Sequence, residues 1–534
     1  LTGAHASASA IPPVEPASST APRAHTPDPA VLWQIVGATL VGAVLRLFAL
    51  GRQSLWIDEV FTWNSADVGQ PLRLSHLLEN VHGPLYSLLL HLWTGLAGDG
   101  EWALRLPSAL FGIATVPALA WAGGRWLGRE TAVPAAWLAA GSPFLVWYSQ
   151  EARNYSLLIL CACLSAGALL ALRERPGAAR LARVVGVSVA GLLTNLSYAL
   201  LLPLHAKWLL GGRVRTGRTA VAVALAAGVL LLALLPWLPH IGSTWDWRRL
   251  NPGHAAGSAE TPLRGSTTFH AAAVPFALHA FAVGYTLGPS LRELRSPDAV
   301  RTLARHVPEL SIVLVVFGAL GAFGLRELAR KQRLTDAFLW VGLPALAISY
   351  SALQNFKVFH PRYLAVGAPA ILLALAAALA ALGTRARLLS GVAVGALWAV
   401  SLGQHYFGAD YAKEDYRSAL ALVRAHATAG EQVLAVGADE PVFYYYRGPL
   451  PVERFWLGYA ADPARLAVKL DAAMAAATGT WIVSSRPEDL DPAGNFARLL
   501  DARTGAAERW QFTGVRVWRL GPARAPGVPH PGPA

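Results

Sequence analysis

The chain has 534 residues, of which 54% are hydrophobic and only 14% charged, with a net charge of +13. Soluble domains carry about 25% charged residues, so this composition excludes an ordinary soluble protein and implies that much of the chain meets lipid. The positive charge falls in short loops between apolar runs, which points to membrane orientation and excludes nucleic acid as the partner.

The first 29 residues are rich in Pro, Ala and Ser and read as a disordered cytoplasmic tail. They show no basic stretch followed by a short apolar run, so they are not read as a signal peptide. A first span is predicted at about Ala30–Leu50, a second at Leu104–Gly124, a third at Thr131–Trp147 and a fourth at Leu157–Leu172. Cys161 and Cys163 lie inside the fourth and are two apart, so they face different directions and read as small core residues. The stretch Val184–Leu210 has arginine clusters at both ends, so it must cross an even number of times; two short helices turning near Asn195 satisfy this. Further spans are predicted at Ala220–Trp237, Leu310–Leu325, Ala337–Ala352, Leu364–Leu382 and Leu388–Leu402.

The sum is a chain of about eleven transmembrane helices, with its N-terminus inside and its C-terminus outside. The apolar segments Leu85–Leu96 and Phe276–Leu287 are too short to span comfortably and are predicted to lie on the membrane surface. Residues 30–404 form the membrane domain in this reading. Residues 405–520 form a small extracytoplasmic α/β domain, with strands at Gln432–Val436 and Trp481–Ser484 and helices at Tyr416–Ala427 and Asp462–Ala477. Residues 521–534 read as a second disordered tail. The C-terminal domain contains no dinucleotide fingerprint, no phosphate-binding loop and no Cys/His metal spacing.

The parity of the loops gathers polar motifs on the outer side. They are Leu55-Trp56-Ile57-Asp58-Glu59, His82-Gly83-Pro84-Leu85-Tyr86, Trp147-Tyr148-Ser149-Gln150-Glu151-Ala152-Arg153-Asn154-Tyr155, His360-Pro361-Arg362-Tyr363-Leu364 and Lys413-Glu414-Asp415-Tyr416-Arg417. Glu101-Trp102-Ala103-Leu104-Arg105-Leu106-Pro107-Ser108 opens the second span from that side. Adjacent carboxylates beside a membrane are costly to desolvate, and polar motifs on one face of a bundle suggest one site. Taken alone, Asp58 and Glu59 are equally well read as a solvated acidic loop.

In order and spacing these motifs, from Val31 to Arg417, resemble the bacterial polyprenyl-phosphate-sugar glycosyltransferases of the GT-C superfamily. These are relatives of the protein O-mannosyltransferases and of the aminoarabinose transferase that acts on lipid A. The resemblance implies a GT-C-like helical membrane fold. It implies transfer of a sugar from a polyprenyl-phosphate donor to an acceptor hydroxyl on the outer face of the bacterial cytoplasmic membrane, with inversion. A hydroxyl is a poor nucleophile and needs a base. By match to the family's first-loop aspartate that base is Asp58, with Glu59 sharing or positioning the proton. The lipid phosphate needs cations, and Arg153 and Arg362 are the candidates, because arginine holds phosphate bidentately.

The other candidates have bland alternatives beside them. Glu151 is a second acidic site residue or a partner of Arg153. His82 contacts substrate or caps a helix, and Tyr86 follows it in the same motif as a binding candidate. Tyr155 and Tyr363 bind substrate or anchor at the interface. Lys413 and Arg417 reach back to the donor phosphate or simply open a surface helix. Trp245 and Trp247 stack on a sugar or sit at the interface. With few oxygen ligands near Asp58, no metal site and no cofactor is expected. The partners implied are the lipid-linked donor, membrane lipids and a glycan, lipid or protein acceptor. Two other classes stay open on the residues alone: a lipid or glycan flippase, and a non-catalytic membrane protein with an exported ligand-binding domain.

Overall fold

The computed structural model describes residues 28–78, 83–211, 273–291, 299–353 and 360–458, most of 462–520, and a few isolated residues between. Most of the expected span Ala220–Trp237, the candidate His82, and Trp245 and Trp247 lie outside the described residues.

Six described helices are long and apolar enough to cross a membrane: Pro29–Leu47, Glu101–Trp126, Tyr155–Glu174, Val307–Arg330, Pro361–Ala381 and Thr384–Phe407. They fall into two sets. Glu101–Trp126, Tyr155–Glu174 and Pro361–Ala381 are mostly buried, whereas Pro29–Leu47, Val307–Arg330 and Thr384–Phe407 are mostly exposed despite their apolar sequence. Leu40, Val44, Leu314 and Leu388 are each more than 60% exposed. Such a surface has no place in water; it is solvated by lipid, and this is a multi-pass membrane protein.

The other expected crossings take less regular forms. The stretch 184–210 is two short legs, Ala178–Thr194 and Leu196–Leu210, hinged at Asn195, as the charges at its ends require. The stretch near 337–352 contains a wide turn at Phe338–Gly342 before Leu343–Leu353. The third expected span is not continuous. It is split into Ala132–Gly141 and Pro143–Ser149, because Pro143 has no N–H to donate and Ser142 instead caps the second piece.

That break explains a charge in the first span. The carbonyls of Ala139 and Ala140 lose their helical donors there. Arg46, fully buried, donates to both at 2.8 and 2.9 Å, and to the Ser149 hydroxyl at 3.1 Å. A guanidinium in a membrane helix is costly unless every donor is used. Gly112 makes room for it, since a Cβ there would lie 1.9 Å from the Ser149 Oγ and 2.9 Å from the Arg46 Nε.

The helices Ile57–Ser65, Leu85–Ala97 and Ala273–Val283 are short, as expected for the last two. The C-terminal part is a five-stranded sheet: β1 Glu431–Gly437, β2 Val452–Phe455, β3 Gly479–Ser485, β4 Glu508–Phe512 and β5 Val515–Leu520. Its order is β2-β1-β3-β5-β4, with β2, β1 and β3 parallel and the β4–β5 hairpin antiparallel. Successive residues of β1 alternate between two cores. Val433 and Ala435 pack with helix Tyr416–His426, while Leu434 and Val436 pack with Leu466, Leu470 and Phe496 on the opposite face.

This sheet docks on the loop after the first span through the short helix Glu440–Tyr445. The Tyr445 hydroxyl receives the Leu55 N–H at 2.6 Å and donates to Glu101 at 3.0 Å. Arg447 pairs with Asp99 at 2.7 Å.

Replacing Arg46 with Leu should lower the thermal unfolding temperature in detergent markedly. Each buried carbonyl left without a donor costs about 1–3 kcal/mol. An unchanged melting curve would mean that Arg46 does not hold the broken helix.

Candidate active site

Asp58 and Glu59 open the helix Ile57–Ser65, so they lie one residue apart and point to different neighbours. Glu59 is wholly buried. Arg105, from the start of the second membrane helix, grips it with two bonds, Nε to Oε1 at 2.7 Å and Nη2 to Oε2 at 2.8 Å. The backbone N–H of Ala152 adds 2.9 Å, and Lys413 adds 3.0 Å. Arg105 also closes the loop before Asp58, donating to the carbonyls of Leu50, Gln53 and Ser54.

The second row of contacts comes from the same motifs. Ser108 donates to the Arg153 carbonyl at 2.9 Å, and its hydroxyl pairs with that of Tyr86 at 2.7 Å. Arg153 donates to the Asp58 carbonyl at 2.9 Å and to the Thr62 hydroxyl at 2.8 Å. Gln150 holds the end of the first span through the carbonyls of Arg46 and Phe48.

In front of this scaffold lies a cavity of about 1040 Å³. Asp58, Glu151, Arg362 and Lys413 line it together. The Asp58 carboxylate meets Arg362 at 2.5 Å. Lys413 stands between two carboxylates, 3.0 Å from Glu59 and 3.4 Å from Glu151. Trp56 is the floor shared by the cations: Arg362, Lys413 and Arg486 each lie 5.5–5.9 Å from its ring. Trp147, Tyr148, Phe276 and Tyr285 give it an aromatic lining, and the strand ends of the sheet add the polar groups of Asp439, Glu440, Arg454 and Arg486.

The two buried glutamates are driven in opposite directions. Burial alone would raise the Glu59 carboxyl, but Arg105 and Lys413 outweigh it and hold the group below its ordinary value. Burial raises Glu151 above its ordinary value; Lys413 opposes this and the charge of Glu59 adds to it. The Oε2 of Glu151 is buried with no hydrogen-bond partner among the described residues.

The sequence candidates therefore separate. Asp58, Glu151, Arg362 and Lys413 face the cavity. Glu59, expected beside Asp58 in the chemistry, sits behind the cavity wall with both oxygens engaged. Arg153, expected at the phosphate, supports the backbone of Asp58 from behind. Tyr86 and Tyr155 are buried, and Tyr363 lies under the Arg362 guanidinium. Arg417 turns away to Glu101 at 2.7 Å and to the carbonyls of Gly51 and Arg52. Arg105 is the residue the sequence reading did not single out, although its motif was noted. His360, which accepts from the Arg362 N–H at 3.2 Å and lines the cavity, is another.

A family model described as dolichyl-phosphate-mannose-protein mannosyltransferase matches residues 81–241. Among solved structures the chain is similar to ArnT from Cupriavidus metallidurans bound to undecaprenyl phosphate. The identity is 17% and the TM-score 0.53, over 92% of this chain and 99% of that one. The apo state of the same protein gives 16% and 0.52, over 92% and 100%. An Archaeoglobus fulgidus oligosaccharyltransferase, tethered with an acceptor peptide, gives 12% and 0.53, over 92% and 74%. No curated protein matches the chain in sequence.

The glutamates predict opposite effects of pH and mutation. Glu59 is lowered to about 2, so its stabilisation is fully present above the ordinary carboxyl value of 4.5 and is lost progressively as pH falls from there through about 2. Glu59→Gln should cost about 3–5 kcal/mol at pH 7, because it leaves Arg105 buried without its charge partner. The gap to wild type should narrow as pH falls below 4.5. Glu151 has a raised value, so its contribution is greatest below 4.5 and is lost as pH rises. Glu151→Gln should leave the melting temperature at pH 7 unchanged or higher. Thermal unfolding of both variants between pH 3 and 8 checks this; equal destabilisation by the two would contradict it.

Proposed function

We propose that this chain, whose fold is that of the GT-C membrane glycosyltransferases, moves a sugar from a polyprenyl-phosphate donor to an acceptor hydroxyl. The observation that carries the reading is the pairing of Asp58 with Arg362 in one cavity at the end of the membrane helices. Arg362 stands where the span Pro361–Ala381 begins, which is the depth of a lipid phosphate. The aromatic lining suits the first isoprene units and the polar groups suit sugar and acceptor. The cavity volume of about 1040 Å³ is at the upper end of small-molecule sites, enough for a sugar phosphate and an acceptor group together.

At rest, Arg362 blunts Asp58 as a base. Donor phosphate competes for the guanidinium, because arginine matches phosphate oxygens with two parallel bonds. Drawing Arg362 away leaves the Asp58 carboxylate to accept the proton of the acceptor hydroxyl. As that oxygen bonds to the anomeric carbon, the bond to the phosphate oxygen breaks. The electron pair stays on the phosphate, whose growing charge Arg362 and Lys413 take up. Attack opposite the leaving group inverts the anomeric carbon and needs no covalent intermediate. These cations do the work of charge neutralisation, so the reading requires no essential metal or cofactor. The reaction is placed on the outer face of a bacterial cytoplasmic membrane, with the N-terminus inside, because the arginine-rich loops belong in the cytoplasm.

Glu59, Arg105 and Arg153 are positioning residues in this reading. They fix the backbone and orientation of Asp58 without touching substrate. Glu151 and Lys413 form a second charge pair at the cavity.

Purified protein supplied with radiolabelled polyprenyl-phosphate sugars, resolved by thin-layer chromatography, tests the proposal. Asp58→Asn should reduce transfer by about two to four orders of magnitude, the usual worth of a general base, with an unchanged melting temperature. Arg362→Ala should lower donor binding and turnover, and Arg362→Lys should restore part of both. An Asp58→Asn protein that keeps a large share of its activity would remove Asp58 as the base.

A further inference from the structure

The polar groups that the sheet adds to the cavity have a common origin. Strands β2, β1 and β3 are parallel, and all three end at the cavity. Gly437 ends β1 and Asp439 and Glu440 follow it, Trp456 follows β2, and Arg486 follows β3. The chain leaves β1 to form β2 on one side and then crosses to form β3 on the other. In open parallel sheets the crevice at the carboxyl ends of such strands, where the order reverses, is where ligands bind. Here that crevice opens into the cavity of the membrane domain.

The crevice is built tightly. Gly437 has φ +80°, and a Cβ there would meet the Ser485 carbonyl at 2.1 Å. The Ala438 N–H donates to that same carbonyl at 2.8 Å. The two arginines at its rim are already engaged with acids. Arg454 lies 2.8 Å from Glu440 and 3.6 Å from Asp439. Arg486 lies 2.5 Å from Glu414. Trp456 lines the cavity and keeps 53% of its surface exposed, which leaves a large aromatic face without protein cover.

We infer that the carboxyl ends of β1, β2 and β3 form the acceptor subsite, and that it takes a neutral carbohydrate. This rests on the transferase reading of the cavity and names its acceptor side. A flat indole packs on the apolar C–H face of a sugar ring, as it does on other flat apolar groups. Carboxylates such as Asp439 and Glu440 accept hydrogen bonds from paired hydroxyls. Arg454 and Arg486 are already paired with carboxylates, so the rim offers a phosphorylated or uronic acceptor little net positive charge. The donor phosphate, in contrast, goes to Arg362 and Lys413, which come from outside the sheet. The two substrates thus meet different groups within one space.

The test uses the full chain in lipid nanodiscs and saturation-transfer NMR. The probes are the neutral trisaccharides of mannose, galactose and arabinose, with trigalacturonic acid as the anionic control. At least one neutral trisaccharide should bind. Trp456→Ala should weaken it by about tenfold, the scale of one lost aromatic contact, and Trp456→Phe should retain most of the affinity. Binding of undecaprenyl phosphate should be the same in all three proteins. The inference is overturned if no neutral trisaccharide binds, if trigalacturonic acid binds more tightly, or if Trp456→Ala binds as wild type does. Loss of undecaprenyl phosphate binding in the wild type, with trisaccharide binding intact, would sink the donor reading and leave the acceptor subsite standing.

Discussion

The structure turns on one buried ion pair. Glu59 and Arg105 are both almost fully enclosed, and each is the other's principal charge partner. Neither charge is tolerable at that depth alone. Bound together, they bring the loop after the first span, the start of the second span and the turn Ala152–Arg153 to one point. Lys413 joins them from the base of the sheet. Asp58 is the preceding residue of the same helix, so its place in the cavity is fixed by a bond that its neighbour makes. Arg153 and Ser108 complete the support from behind.

This arrangement separates holding from reacting. The groups that face the cavity are held as opposed pairs, Asp58 with Arg362 and Glu151 with Lys413, which an anionic substrate can reorganise. The groups behind it are saturated and fixed. A site whose reactive groups rest on rigid elements keeps its geometry when a large lipid enters. The aromatic floor of Trp56 keeps the cations near one another without binding them covalently or by full ion pairs.

Much of the membrane domain was legible in the sequence, for physical reasons. Charge-free runs of helical length mark spans, and arginine clusters at both ends of 184–210 required the hinge found at Asn195. The split at Ser142–Pro143 was written in the proline, yet the run around it is apolar throughout, so hydropathy alone reads it as one span. Strands β1 and β3 were legible because they are buried on both faces and hence continuous in hydrophobicity. Strand β2 is four residues at a sheet edge with two exposed side chains, and β4 is an edge of alternating exposure; neither carries that signal. At the site, residue types in outer motifs were visible, but their division was not. Glu59 and Asp58 are adjacent and chemically alike, and only the position of Arg105, far along the chain, makes one a support and leaves the other in the cavity. The strand ends that complete the cavity are likewise joined to it only by the fold.

The central claim is that donor phosphate draws Arg362 from Asp58. The most direct measurement is an electron cryo-microscopy structure of the full chain with undecaprenyl phosphate. The account predicts the Arg362 guanidinium on the phosphate oxygens, and the Asp58 carboxylate parted from it and open to the cavity. Phosphate held elsewhere, with the Asp58–Arg362 pair still closed, would contradict it.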